Sequence, residues 1–179
     1  MKRRSVLHYI LELIVITGFL VLGMTILSYI SNRMPFDRFF IGAIVLTTGV
    51  LELTDYCTWK YATRMRSIQA LVSALLSIAL GAVFIFAPLE KELICTLWGA
   101  FSIVFALVKI STGAVNIAYQ PLLCSIKIIL SIIQVVFGIL LIVRGSNLIY
   151  SHMMFLFIAY TISSITLFVE FIIHRYQRI

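Results

Sequence analysis

The stretch IQALVSALLSIALGAVFIFAPLEKELICTLWGAFSIVFALVKISTGAVNIAY, residues 68–119, decides the fold. It contains two apolar runs separated by a short break that holds Pro88 and the charged residues 90–92. Each run is close to the roughly 20 apolar residues that an α-helix needs to cross a bilayer. The stretch therefore predicts a transmembrane helical hairpin. Its second arm carries a lysine, Lys109, in otherwise apolar sequence.

The composition excludes an ordinary soluble domain. Hydrophobic residues make up 62% of the chain and charged residues 12%, against about 45–50% and about 25% in soluble proteins. A basic start precedes the first apolar run, but that run is too long for a signal peptide and no small-x-small cleavage site follows, so we expect a retained span. The predicted fold class is an all-α integral membrane bundle of six transmembrane helices in a single domain, residues 1–179. The predicted spans are 6–30, 36–53, 67–87, 93–118, 122–143 and 148–173.

The net charge of +7 predicts topology rather than nucleic-acid binding, because the basic residues are scattered among loop ends and form no stripe. With the N-terminus inside, nine lysines and arginines fall in inner segments and four in outer segments. The positive-inside rule then places both termini in the cytoplasm. The inner set is Lys2, Arg3, Arg4, Lys60, Arg64, Arg66, Lys127, Arg175 and Arg178; the outer set is Arg33, Arg38, Lys91 and Arg144.

Small residues recur at a fixed period along the chain. The odd spans align on Gly23, Gly81 and Gly138, spaced by 58 and then 57 residues, and the even spans align on a second set at a constant 57. This periodicity predicts three helical-hairpin repeats, about 6–59, 67–118 and 122–173. Small side chains let helices approach closely in lipid, so we expect these positions to pack against other helices. The second set is Gly49, Ala106 and Ser163.

Four ionisable residues lie inside the predicted spans: Glu12, Glu52, Lys109 and Glu170. Each shares a helix face with a small residue of its span, at about 3.6 residues per turn, and lies about 9–15 Å from the inner interface at about 1.5 Å per residue. We therefore expect one intramembrane polar cluster in which Lys109 pairs with at least one glutamate. With three acids and one base, a surplus glutamate is expected to be protonated, to reach the interface or to take a partner such as Lys127.

Two interpretations of this cluster stay open. It is either an ion pair that fixes the register of the helices, or a proton or ion relay or a substrate site, which is the default hypothesis for intramembrane charges. The first is favoured because no broken helix or paired Gly/Pro unwinding marks a transport site.

No other pattern in the chain predicts chemistry. The three cysteines form no CxxC pair, and the predicted topology separates Cys95 on the outer side from Cys57 and Cys124 on the inner side. His8 and His174 are predicted at the inner interface and His152 at the outer one, without acidic companions at ligand spacing. No Ser/His/Asp set, Walker loop or GxGxxG motif occurs. We expect no catalytic residue, no cofactor and no metal.

Four segments carry a resemblance to a known family. They are SALLSIALGAVFIFAP (73–88), SIIQVVFGILLIVRG (131–145), GAIVLTTGVLEL (42–53) and GAFSIVFALVKI (99–110). With six short-looped spans, the chain resembles the HdeD-like family of small bacterial membrane proteins. The first span departs by lacking a terminal proline, and the sixth by lacking the even-span glycines.

The resemblance implies a non-enzymatic, multi-pass protein of the bacterial inner membrane, in acid or envelope stress tolerance. The alternative is a small-solute or proton transporter or channel that uses the Lys/Glu cluster. The expected partner is the lipid bilayer and not nucleic acid. A homo-oligomer or a membrane-protein partner stays open, and so does any ligand.

Overall fold

The computed structural model describes residues 6–59, 68–117 and 121–176. In those ranges the chain forms six α-helices, one short 3₁₀ helix and no strand. The all-α prediction is thereby confirmed. The helices are α1 (Val6–Ser31), α2 (Arg38–Trp59), α3 (Ile68–Phe86), α4 (Lys91–Asn116), α5 (Pro121–Arg144) and α6 (Ile149–Tyr176), with the 3₁₀ helix (Gly145–Leu148) between the last two.

Five of these helices are long and apolar enough to cross a membrane, namely α1, α2, α4, α5 and α6. The apolar part of α3 covers Leu71–Phe86 and is shorter. Large apolar side chains also point outward, for example Val21 at 63% exposure and Val143 at 74%. Apolar surface of this kind indicates contact with the lipid bilayer.

The ends of the helices follow local sequence signals. Pro121 is the first residue of α5, a position where its missing N–H has no helical partner in any case. Gly145 follows the last residue of α5 with φ of 55°, the left-handed conformation that glycine adopts at helix C-termini. Asp37 precedes α2 and accepts a hydrogen bond from the Phe39 N–H at 2.9 Å, as an N-cap does.

The loop predicted directly after the second span was wrong over residues 54–59. The structure continues α2 through Trp59, because residues 50–59 contain neither glycine nor proline to stop a helix. The polar Thr54 fits into this helix because its hydroxyl donates a hydrogen bond of 2.8 Å to the Val50 carbonyl, one turn earlier. The remainder of the predicted loop, 60–66, and the first residue of the predicted third span lie outside the described residues.

The helices pack in a ring in which tight and loose neighbours alternate. The tight contacts join α2 to α3, α4 to α5 and α1 to α6. The looser contacts join α1 to α2, α3 to α4 and α5 to α6. The two arms of each hairpin predicted from the sequence are therefore the looser neighbours.

Glycines occupy the tight contacts. A Cβ added to Gly81 on α3 would lie 2.5 Å from the Leu46 backbone nitrogen on α2. Gly99 on α4 and Gly138 on α5 face each other, since a Cβ on either would come within 2.8 Å of the other's carbonyl oxygen. A Cβ on Gly23 of α1 would be 3.3 Å from the Thr161 hydroxyl on α6.

The second set of small residues, on the even-numbered helices, varies more in its surroundings than the glycines of the odd-numbered helices do. A Cβ on Gly49 would lie 2.8 Å from the Ala74 carbonyl oxygen of α3, so Gly49 belongs to the tight α2–α3 contact. Ala106 on α4 is fully buried. Ser163 on α6 is half-buried, and its carbonyl accepts a hydrogen bond from the Thr166 hydroxyl at 2.9 Å.

Candidate functional site

An ion pair joins α2 to α4. The Lys109 Nζ lies 3.3 Å from the Glu52 Oε1, with side-chain exposures of 33% and 16%. The same ammonium lies 4.2 Å from the centroid of the Phe105 ring, one turn earlier on α4. The aromatic face attracts a cation electrostatically. Lys109 is thus held by a carboxylate on one helix and an aromatic ring on its own.

A second ion pair joins α5 to α6. The Lys127 Nζ donates a hydrogen bond of 2.7 Å to the Glu170 Oε1. The Glu170 side chain is only 7% exposed, whereas that of Lys127 is 37% exposed. The ammonium therefore brings its charge to a carboxylate that is buried between helices. From the sequence, a partner such as Lys127 was one of three outcomes expected for a surplus glutamate, beside protonation and access to the interface.

The remaining glutamate, Glu12, is buried on α1 and lines a cavity of about 10 Å³ where α1, α2 and α6 meet. Asp55 of α2 lines the same cavity. The volume is about that needed for a single water molecule. The other lining residues are Val15, Ile16, Leu167 and Phe171.

Asp55 is a polar residue of this site that sequence reasoning missed. It was assigned to the loop after the second span, but the continuation of α2 places it three residues beyond Glu52 on a helix. The available signal was the lack of glycine and proline in residues 50–59.

The predicted set of four charges is thus distributed over three places. Glu52 meets Lys109, Glu170 meets Lys127, and Glu12 shares a cavity with Asp55. The pair expected between Lys109 and a glutamate is present. Each of the three places lies between different helices.

Polar contacts also join the even-numbered helices to one another. The hydroxyls of Thr48 on α2 and Tyr160 on α6 lie 2.8 Å apart, and both residues are buried. The Ser102 hydroxyl on α4 lies 3.3 Å from the His152 Nε2 on α6. With the Glu52–Lys109 pair, every two of α2, α4 and α6 share at least one polar side-chain contact.

The structure buries His152 completely, one turn into α6. The sequence predicted this residue at the outer interface and did not predict which way its side chain faces. The neighbouring α4 and α5 supply aromatic rings that cover it. No periodicity in the sequence marks a lone histidine as buried or exposed, so this position had no usable signal.

The cysteine, histidine and acidic side chains that the structure describes form no metal-binding group and no disulfide. Among the described residues, no three or more His, Cys, Asp or Glu side chains gather in a way that could hold a metal ion. The three cysteines are free, with Cys95 and Cys124 buried and Cys57 exposed.

Fold and composition define the class of this protein as an all-α protein with several helices apolar enough to lie in a membrane. No family model matches the chain, and no curated protein or solved structure does.

Proposed function

We propose that the chain is a non-enzymatic, multi-pass protein of the bacterial inner membrane whose intramembrane charges fasten its helices together. The observation that carries this proposal is the pairing of charges between helices, Glu52 with Lys109 and Lys127 with Glu170. A lone charge at mid-bilayer costs about 2.5–3.5 kcal/mol on insertion scales. Cross-helix pairs offset that cost and select one rotation and register for each helix.

The continuity of the helices supports this structural role. The charged positions lie within unbroken α2, α4, α5 and α6. Transport sites in membrane proteins are typically built from interrupted helices whose free backbone groups bind the substrate. In the described residues the charges instead meet one another as side chains on intact helices.

The architecture that we propose is a ring of three two-helix units with six spans. The threefold alternation of loose and tight neighbours supports three units, with the loose contact inside each predicted hairpin and a tight contact joining each hairpin to the next. So does the placement of Gly23, Gly81 and Gly138, each at a tight contact with an even-numbered helix. As a sixth span, α3 with its 19 residues would measure about 28 Å at about 1.5 Å per residue, close to the hydrocarbon thickness of about 30 Å.

The proposed physiological role is acid or envelope stress tolerance, supported by the resemblance to the HdeD-like family. The charge distribution supports both termini in the cytoplasm. A strain that lacks the gene should survive acid exposure less well than its parent, and a plasmid copy should restore survival. Equal survival of the two strains would remove the stress role and leave the architectural proposal standing.

The second candidate function is proton or small-solute transport. It is favoured by the cavity that Glu12 and Asp55 share and by the partial exposure of Lys109. Flux into proteoliposomes tests it directly. Transport predicts a pH-dependent flux that the Lys109→Ala variant loses while it remains folded; the fastening role predicts no flux in either protein.

A further inference from the structure

His152 sits in an enclosure made by three helices. Its ring packs edge-to-face on Trp98 of α4, with centroids 4.8 Å apart, and lies 6.4 Å from the Phe137 ring of α5. His152 is fully buried and Trp98 is 2% exposed. The imidazole therefore has protein on all sides.

Only one nitrogen of this ring has a partner. The Nε2 lies 3.3 Å from the Ser102 hydroxyl, whereas the Nδ1 is buried with no hydrogen-bond partner. A neutral imidazole has one donor and one acceptor nitrogen, and both nitrogens become donors when the ring is protonated. Protonation gives the enclosure a positive charge and makes both ring nitrogens donors, with no acceptor in place for the Nδ1–H.

No charged group compensates the ring from the helices packed on it. By position, the nearest titratable groups of α4 are Cys95, Glu92 and Lys91, which lie toward the start of that helix. Arg144 ends α5, and Tyr150 precedes His152 on α6. In the part of the chain that the structure describes, none of these forms a hydrogen bond or ion pair with the ring.

A groove reaches the enclosure from the side of the bundle. It has a volume of about 470 Å³ and runs along α6, lined by Phe137 of α5 and by five residues of α6, namely Tyr150, Ser151, Met154, Phe155 and Ile158. The Phe137 ring stacks on Phe155 at 5.1 Å and also faces the imidazole. Phe137 is thus the wall between groove and histidine, at one of the looser helix contacts of the ring.

We propose that His152 is a proton-operated latch on the α4–α5–α6 contact. In the neutral form the ring bonds Ser102 and fills the space beside Trp98. A bound proton displaces Phe137 and opens the enclosure to the end of the groove that holds Tyr150 and Ser151, at the start of α6, where the new charge can reach water at the surface of the proposed bilayer. The latch stands apart from the proposed stress role, since it is a property of the purified protein.

The test uses Trp98 as a reporter beside the histidine. The chain has two tryptophans, so Trp59→Phe leaves Trp98 as the sole indole. In detergent, acidification from about pH 8 to about pH 3, a range that extends well below ordinary histidine titration, should reversibly reduce Trp98 emission. It should also increase quenching by acrylamide, a neutral quencher. In the same background His152→Gln should abolish both changes.

Three further variants make the outcome decisive. His152→Phe replaces the ring by one that cannot be protonated, and it stands in if the glutamine variant does not fold; it should also abolish both changes. Phe137→Ala removes the wall and should expose Trp98 to acrylamide already at neutral pH. Glu92→Gln is the control carboxylate and should leave the transition intact. The proposal is overturned if the parent shows no transition, if the transition persists without His152, or if Glu92→Gln removes it.

Discussion

At the scale of single residues, Lys109 offers the sharpest test of what intramembrane charges do. Its ammonium lies 3.3 Å from the Glu52 carboxylate, so Lys109→Ala removes a cation from a partly buried contact between α2 and α4. Loss of a partner from such a contact costs about 1–3 kcal/mol. We predict that thermal unfolding in detergent shows a reduced stability, and that adding Glu52→Ala restores part of it, since contacting residues couple by about 0.5–3 kcal/mol.

Lys91→Ala is the matched control for this cycle. Lys91 is an exposed lysine on the same helix, with its ammonium 5.2 Å from the centroid of the Phe36 ring. A surface substitution of this kind stays within about 0.5 kcal/mol. Equal destabilisation by Lys91→Ala and Lys109→Ala, or no recovery in the double variant, would contradict the fastening role.

Glycine substitutions test the close approach of the helices at residue scale. In Gly81→Ala the new Cβ would meet the Leu46 backbone nitrogen at 2.5 Å, and backbone atoms cannot move aside cheaply. Overpacking of this kind costs about 1–3 kcal/mol. In Gly18→Ala the Cβ would meet the terminal Leu51 Cδ2 at the same 2.5 Å, and a leucine methyl can rotate away. Unfolding measurements should therefore show the larger loss for Gly81→Ala.

The sequence predicted a contact between residues only where charge and periodicity together pointed to it. The Glu52–Lys109 pair was predictable because two opposite charges occupy the same repeat position, 57 residues apart. The place of Asp55 was not, because it required α2 to extend beyond its apolar run. The burial of His152 was not either, because it depends on rings that α4 and α5 bring from distant parts of the sequence.

At the scale of elements, the apolar runs located the helices well and their ends less well. Proline and glycine marked the ends near Pro88, Pro121 and Gly145 correctly. The polar residues that follow Leu53 did not end α2. Polar side chains lower hydropathy but leave the backbone free to continue a helix, whereas proline and glycine act on the backbone itself. Hydropathy therefore predicts the apolar part of a helix rather than its full length.

The shortest apolar helix, α3, gives the prediction that belongs to this scale. If α3 crosses the membrane, a reporter fused after Arg66 lies in the cytoplasm and one fused after Leu89 lies in the periplasm. A fusion after Ile179 should again report the cytoplasm, because an even number of spans returns the chain to its starting side. Alkaline phosphatase and green fluorescent protein fusions distinguish the two compartments. A cytoplasmic signal after Leu89 would reduce the number of spans.

At the scale of the whole molecule, the period of small residues in the sequence indicated which helix faces pack closely, whereas the predicted hairpins did not. Short connections predict that the two helices of a hairpin are neighbours. They do not predict which face each helix presents to its neighbour. The small residues that allow the closest approach lie on faces of the odd-numbered helices that meet α2, α4 and α6 across the tight contacts. The tight contacts consequently link one predicted repeat to the next.

Closure of the ring by α1 and α6 yields the last prediction. These helices come from opposite ends of the chain, and a Cβ on Gly23 would lie 3.3 Å from the Thr161 hydroxyl oxygen. The Thr161 Cβ is one C–O bond from that oxygen, which puts it within about 4.7 Å of the new Cβ, close to the separation of about 3.5–4.5 Å that a disulfide needs. Gly23→Cys with Thr161→Cys should therefore cross-link within one chain under mild oxidation. The three native cysteines are first replaced by alanine, and a protease site is inserted into segment 60–67.

After cleavage at that site, the two fragments should migrate together on a non-reducing gel and separate on reduction. Val21→Cys paired with Thr161→Cys is the control, since Val21 is 63% exposed and points away from the bundle. It should give separate fragments. Ring closure requires the cross-link to form within a single chain, because only then does α1 of one molecule pack on its own α6. Separate fragments from the Gly23 pair, with both thiols still reactive after unfolding, would contradict closure. So would a cross-link found only in dimers, which would place α6 of one copy against α1 of another.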